Sequence, residues 1–259
     1  MKSNHYYLLH IQYLGFRFHG WAKQPQVKTV HHMVDRTLHY VFDHDNYKTL
    51  GGSRTDAMVS ADHFVLELFL NDPIVDEQAF LKLFNFNLPS DIRALAIEET
   101  NADFNIIQNP KSKTYLYLFA FGEKAHPFSA PFITTLQEPL DVALMEKGAK
   151  IFEGAHEYRA YCKKPSDRTN TQRTIDLCEI VPNTFYTASF FPSSSFALKV
   201  SGKGFMRNQI RIMMGQLIRL GRGEILLNEL ESSLLPSFSE HLSYIAPASG
   251  LMLSKVSFE

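Results

Sequence analysis

The sequence predicts an α+β fold of two halves, residues 1–108 and 109–259, and three observations carry the prediction. Apolar residues recur with period two in some segments and near 3.6 in others. The first hundred residues read β-α-β-β-α-β, the order of a ferredoxin-like split βαβ unit. The second half repeats that theme with similar composition, and the two join near "NIIQNPKS", residues 105–112.

The elements follow in order. Residues 5–13 alternate Tyr7, Leu9, Ile11 and Tyr13 on one face, a half-buried strand that the N-terminal "MKSNHYYLLHIQY" leads into. Residues 29–42 place Val30, Val34, Leu38, Val41 and Phe42 at helical spacing. "ADHFVLELFL" (61–70) is a strand, "DEQAFLKLFNF" (76–86) a helix with Asp76 as N-cap, and "DIRALAIEE" (91–99) a strand. In the second half, 113–121, 173–181, 195–202 and 250–258 read as strands, and 140–154 and 205–221 as helices. Segment 183–195, rich in Ser, Phe and Pro, reads as a loop.

Composition narrows the function. The chain has 259 residues, 45% apolar and 20% charged, enough for a full core. Its net charge of −1 gives no strong whole-molecule attraction for a polyanion, so a nucleic-acid site must come from local clustering. Cys162 and Cys178 form no CxxC pair, and the histidines show no metal-ligand spacing with them; no metal and no cofactor are expected, and a reducing cytoplasm is. The N-terminus lacks a signal-peptide pattern, and no stretch approaches the roughly 20 apolar residues of a membrane span.

Local clustering is present. Residues 199–222 hold six basic residues (Lys199, Lys203, Arg207, Arg211, Arg219, Arg222) and no acidic one. On a 205–221 helix, Met206, Ile210, Met213, Met214 and Leu217 would form an apolar stripe, with Arg207 and Arg211 four residues apart beside it. A partly buried arginine there needs an anionic partner. On charge alone a solvated helix face explains the cluster equally well.

"GGSRTDAMVSADHF" (51–64) poses a sharper question, because Arg54, Thr55 and Asp56 sit in a glycine-led turn just before a strand. Taken alone, such a loop is a turn. With the rest of the chain, "SRTDAMVSA" resembles the GRTDAGVHA segment of the tRNA pseudouridine synthase A (TruA) family. Five further blocks resemble that family in its own order: "YLGFRFHGWAKQP" (13–25), "KSKTYLY" (111–117), "FEGAHEYRAYC" (152–162) with "RTI" (173–175) after it, "GKGFMRNQIRIMMGQLIRLGRGE" (202–224) and "APASGLMLSKVSF" (246–258).

The resemblance implies a pseudouridine synthase fold, two such halves with mainly antiparallel sheets meeting across a central cleft, and isomerisation of uridine to pseudouridine in tRNA. It implies uridine 38, 39 or 40 of the anticodon stem-loop as target and a homodimer as the assembly. Asp56 matches the family's catalytic aspartate, Arg211 the arginine that keeps it ionised, Arg54 the arginine linked to flipping the target nucleotide, and Tyr115 the tyrosine that stacks on the uracil. Thr55 lies between the two loop residues and is counted with the substrate site, while Lys203, Arg207, Lys163, Lys164 and Arg168 are candidates for phosphate contacts. His19 and Trp21 match the family's HGW and read as structural.

The chain departs from the pattern in places. "FNIIQNP" (104–110) stands where the family has FHARFSA, so Asn105 replaces His and Ile107 replaces Arg. Met58 replaces Gly, Ser60 replaces His, Ser53 replaces Gly, Leu14 replaces Asp, and His31-His32 replace Gln-Glu. The acid, its arginine and the tyrosine remain, which implies retained chemistry with altered RNA recognition. Two rivals are an RNA-binding relative without turnover and a small-molecule enzyme with an aspartate nucleophile; no Gly-rich phosphate loop or dinucleotide motif supports the second.

Overall fold

Strands and helices form in the order β1 (His5–Tyr13), α1 (Val30–Phe42), β2 (Tyr47–Gly51), β3 (Ser60–Leu70), α2 (Glu77–Asn87) and β4 (Ile92–Thr100) through the first hundred residues of the computed structural model, which describes residues 4–258. Residues 1–3 of "MKSNHYYLLHIQY", the N-terminal segment read as a strand, lie outside the described residues. The chain is α+β with mainly antiparallel strands. It divides into two compact units, Met1–Lys111 with Leu253–Glu259, and Ser112–Met252.

In the first unit, β1 lies between β3 and β4, antiparallel to both. The far side of β3 takes β2 and β11 (Leu251–Ser257). Apolar alternation in β1 puts Tyr7, Leu9, Ile11 and Tyr13 inside. Helix α1 starts where the Thr29 hydroxyl accepts from the His32 N–H (3.4 Å), and it buries Val30, Met33, Val34, Thr37 and Leu38, one face at helical spacing. Helix α2 starts at Asp76, whose carboxylate accepts from the Ala79 N–H (2.9 Å), and buries Phe80 and Phe84.

The second unit holds β5 (Ser112–Phe121), β6 (Thr134–Leu136), α3 (Val142–Ile151), β7 (Gly154–Glu157), β8 (Gln172–Ile175), β9 (Leu177–Pro182), β10 (Phe196–Gly202), α4 (Gln209–Gly221) and α5 (Leu227–Ser232). Strand β10 pairs antiparallel with β5 and β9, β6 adds parallel to β5, and β7 and β8 form a separate ribbon. Helices α3 and α4 approach closely at Gly148, where a Cβ would lie 2.4 Å from a Leu220 methyl carbon.

Two expectations need correction. The single strand over 173–181 is two, β8 and β9, because the Asp176 N–H bonds to the Ser201 carbonyl (2.8 Å) and turns the chain from the ribbon into the main sheet. The helix over 205–221 starts at Gln209, because Asn208 takes a left-handed backbone (φ 60°) and leaves residues 205–207 in an irregular approach. Arg207 and Arg211 therefore do not share a helix face. No helix among the described residues is long and apolar enough to cross a membrane.

Two half-buried histidines should give the fold a pH dependence. The Val256 N–H donates to His63 Nδ1 (3.3 Å), so His63 carries its proton on Nε2 and donates to His10 Nδ1 (2.8 Å), and His10 Nε2 reaches Glu98 (2.9 Å). Burial, aided by His10, lowers the pKa of His63; burial lowers that of His31, which stacks on Trp21. Both are held neutral in the fold, while the unfolded chain protonates them near pH 6.5. The unfolded state then binds more protons, so stability falls as pH drops below that value. Urea midpoints at pH 7, 6 and 5 should decline, and less steeply in His63→Gln; a flat profile in the parent would contradict this.

Candidate functional site

The Arg54–Asp56 turn lies between the end of β2 and the start of β3, and the first unit holds it from the side with residues 13–21. Its backbone is tied at three points: Trp21 N–H to Thr55 O (3.1 Å), Met58 N–H to Phe18 O (3.0 Å) and Gly15 N–H to the Ser60 hydroxyl (2.9 Å). Gly20 permits this approach, since its φ is +86° and a Cβ would lie 2.6 Å from the Thr55 carbonyl oxygen. The Val59 N–H closes the turn onto the Asp56 carbonyl (3.2 Å). Arg54 is exposed and Asp56 half-buried, whereas Thr55 is buried and its hydroxyl lies 2.9 Å from the Tyr13 hydroxyl. The loop thus presents a cation and a carboxylate on a backbone whose central residue is fixed by both side chain and main chain.

Tyr13→Phe should remove the bond to Thr55 and keep the ring. A buried hydroxyl left without its partner costs about 1–3 kcal/mol, so the unfolding midpoint should fall by that equivalent in a urea titration. An unchanged midpoint would show that the contact holds nothing.

Trp21 serves the same scaffold. It is buried, with its ring 3.9 Å from Phe64 and 5.0 Å from His31, while His19 is exposed. The segment that departs from the family pattern at 104–110 also has a use in packing. The Asn105 side-chain oxygen accepts from the N–H groups of Ile107 (3.0 Å) and Gln108 (3.1 Å), capping a turn. That turn buries Ile106, whose N–H donates to the buried Glu67 carboxylate (3.3 Å). Burial raises the pKa of Glu67, opposed by that N–H and by Lys48.

In the second unit, Tyr115 sits on β5 opposite Val200 and is 8% exposed, with its ring 5.3 Å from Phe205 in an edge-on contact. Arg211, in the first turn of α4, is half-buried. Its Nε donates to the Ala246 carbonyl (2.8 Å), and the Ala246 N–H donates back to the Arg211 carbonyl (3.1 Å). This pair of bonds fixes the base of the guanidinium. Its positive charge reaches Tyr117, whose hydroxyl pKa burial raises and Arg211 opposes.

Lys203 and Arg207 are exposed on the irregular approach to α4. The Lys163 N–H donates to the Arg207 carbonyl (3.1 Å), so the 163–168 loop, with exposed Lys163, Lys164 and Arg168, is tied to that approach. Beneath it, burial raises the pKa of the Cys162 thiol, and the charges of Arg173, Arg207 and Arg159 oppose that shift. Among the described residues none of these cations shares an ion pair with a carboxylate. Unpaired cations on neighbouring segments suit phosphate.

Sequence reasoning missed Arg173, on β8, and Arg159, in the turn after β7, whose charges both act on the Cys162 thiol beneath the cluster, although the quoted blocks contain them. It also missed Lys113, half-buried two residues before Tyr115 on the same face of β5, opposite Gly202; burial lowers its pKa.

Known proteins resemble this chain. A family model described as tRNA pseudouridine synthase matches residues 149–259. A Bacillus cereus protein named tRNA pseudouridine synthase A 2 is 30% identical over 255 residues, 98% of this chain and 100% of its own length. Aquifex aeolicus tRNA pseudouridine synthase A is 30% identical over 250 residues, 96% of this chain and 98% of its own. Among solved structures, the archaeal box H/ACA sRNP Nop10-Cbf5 complex aligns over 82% of this chain and 44% of that chain, at 15% identity and a TM-score of 0.33.

Proposed function

The chain belongs to the tRNA pseudouridine synthase A (TruA) family, and from that premise we propose that it isomerises uridine to pseudouridine in tRNA, through Asp56, in the anticodon stem-loop at uridine 38, 39 or 40. The observation that carries the reading is similarity at 30% identity along 98% of the chain, spanning the Arg54–Asp56 loop that the first unit pins in place.

The reaction breaks the bond between uracil N1 and ribose C1′, turns the base, and forms a bond from C5 to C1′. The C5 hydrogen leaves as a proton and N1 gains one, so nothing is oxidised or reduced. An ionised carboxylate serves such a step by attacking C1′ or the ring, or by taking the C2′ proton. Asp56 is assigned that carboxylate. Arg211, already fixed by Ala246, is assigned to keep it ionised, because a neighbouring cation favours the charged acid. Arg54, exposed beside Asp56, is assigned to the opened stem, where a planar cation holds phosphate or fills the vacated stack. Tyr115 is assigned to stack on the uracil, with Thr55 holding the loop.

Lys203, Arg207, Lys163, Lys164 and Arg168 are assigned to the RNA backbone, which A-form RNA presents as phosphates and 2′-hydroxyls. A homodimer in the cytoplasm, with one tRNA touching both subunits, completes the reading. Residues 1–108 would supply the acid, and residues 109–259 the tyrosine and the arginine. Release of tritium from tRNA labelled at uridine C5 tests it: stoichiometric release supports the reading, and none under any condition favours a binding protein without turnover. A second test addresses the backbone contacts. Arg207→Gln should weaken tRNA binding and lower the slope of log affinity against log salt by about one. An unchanged slope would remove Arg207 from the phosphate set.

A further inference from the structure

Two large apolar side chains stand partly exposed around the Arg54–Asp56 turn. Phe16 is 37% exposed in the 3-10 turn Gly15–Arg17, and Met58 is 37% exposed two residues after Asp56. Their backbones run side by side. The Met58 N–H bonds to the Phe18 carbonyl (3.0 Å), and a Cβ on Gly15 would lie 2.0 Å from the Val59 carbonyl oxygen.

Met58 also carries a cost. Its φ is +66°, a left-handed conformation that glycine adopts freely and that disfavours an L-residue by roughly 1–2 kcal/mol. Asn and Asp offset this with local hydrogen bonds, but a thioether cannot. Glycine is the residue of the resembling family segment at this position. The chain therefore keeps a flexible, polarisable side chain at a strained and partly exposed position two residues from its carboxylate. Strain held at such a place points to use by a ligand.

We propose that Phe16 and Met58 form an apolar rim of the Asp56 loop that receives the face of an unstacked base of the substrate RNA. The proposal rests on the uridine-isomerase reading. A nucleotide drawn from a stem exposes two π-faces to water, and an aromatic ring or a soft thioether covers such a face without reading its identity. The occupant follows from the chemistry next to the rim. Arg54 suits phosphate and Asp56, in the reading above, acts at the sugar, so the apolar group that arrives with them is a base.

Tritium release from tRNA by Met58→Ser, Met58→Leu, Met58→Gly and Phe16→Ser separates use from packing. Ser and Leu leave the φ strain in place; Ser removes the apolar character and Leu keeps it. Met58→Ser and Phe16→Ser should each lower kcat/KM by about 5- to 100-fold, the range for losing one base contact. Met58→Leu should recover most of that loss. Met58→Gly should raise the melting temperature by about 2–4 °C, the shift expected where strain of this size is relieved, and still lower kcat/KM. A more stable but slower enzyme is an outcome that a packing role does not produce. If Met58→Ser and Phe16→Ser both stay within twofold of the parent, the rim binds nothing and the proposal fails. The parent's own release tests the isomerase reading separately. Were the parent inactive, filter binding of the same tRNA by the same variants would decide between rim and surface.

Discussion

Asp56→Asn should abolish tritium release from uridine-labelled tRNA and leave tRNA affinity within a few-fold of the parent. Asn keeps the size and the hydrogen-bonding oxygen of the side chain, so the turn closed by the Val59 N–H onto the Asp56 main-chain carbonyl is untouched. Thr55 keeps its bond to Tyr13, and Trp21 keeps its hold on the Thr55 carbonyl. Only the negative charge goes. Each route open to Asp56, attack at C1′, attack on the ring or removal of the C2′ proton, needs that charge, and an amide does none of them. Losses for removed nucleophiles or bases run to factors of about 10⁴ or more. Affinity is assigned instead to the cations of Lys203, Arg207 and the 163–168 loop, which the substitution does not reach. Measurable turnover by Asp56→Asn would take Asp56 out of the chemistry. A parallel collapse of binding would mean that the carboxylate holds the RNA fold-side contacts together rather than reacting.

Arg211→Ala should lose both stability and turnover. The side chain donates from Nε to the carbonyl of Ala246, a fully buried residue, so its removal leaves a buried acceptor without that donor. Hydrogen bonds from charged groups contribute about 1.5–3 kcal/mol, and the unfolding midpoint should drop accordingly. Turnover should fall by at least about 10²-fold, because the carboxylate loses the cation assigned to keep it ionised. Arg211→Lys separates the two roles. An ammonium keeps the charge but, as a point donor on a flexible stem, cannot hold Ala246 and face a carboxylate together. Partial recovery of turnover with continued loss of stability is expected from it. Full activity in Arg211→Ala, measured at a temperature where the variant is folded, would remove Arg211 from the site.

The regular elements were legible wherever periodicity and caps agreed. Helix α1 follows from Val30, Val34 and Leu38, with a threonine before them, and β1 and β3 from their alternating or continuous apolar runs. The start of α4 was not, because the apolar period runs back through Met206 while the left-handed Asn208 interrupts the helix there, a conformation that no spacing encodes. The break between β8 and β9 depends on a bond from Asp176 to Ser201, and β6 is three residues that pair only with Phe119, Ala120 and Phe121 at the end of β5.

The site divides in the same way. Arg54, Thr55 and Asp56 stand out in the sequence as a charged pair in a glycine-led turn. The hold on that turn does not, because the Tyr13–Thr55 bond joins residues 42 apart. Asn105 reads as the loss of a functional histidine, yet its side chain caps the turn that buries Ile106 over Glu67. The basic cluster was visible around Lys203 and Arg207. Arg159, in the turn after β7, and Arg173, on β8, act on the Cys162 thiol beneath it only in the folded chain.

The decisive measurement is a pseudouridine map of tRNA from cells with and without the gene. Modification should disappear at one or more of uridines 38, 39 and 40, and return with the parent gene but not with its Asp56→Asn form. An unchanged tRNA pseudouridine map, or full restoration by Asp56→Asn, would contradict isomerisation through Asp56.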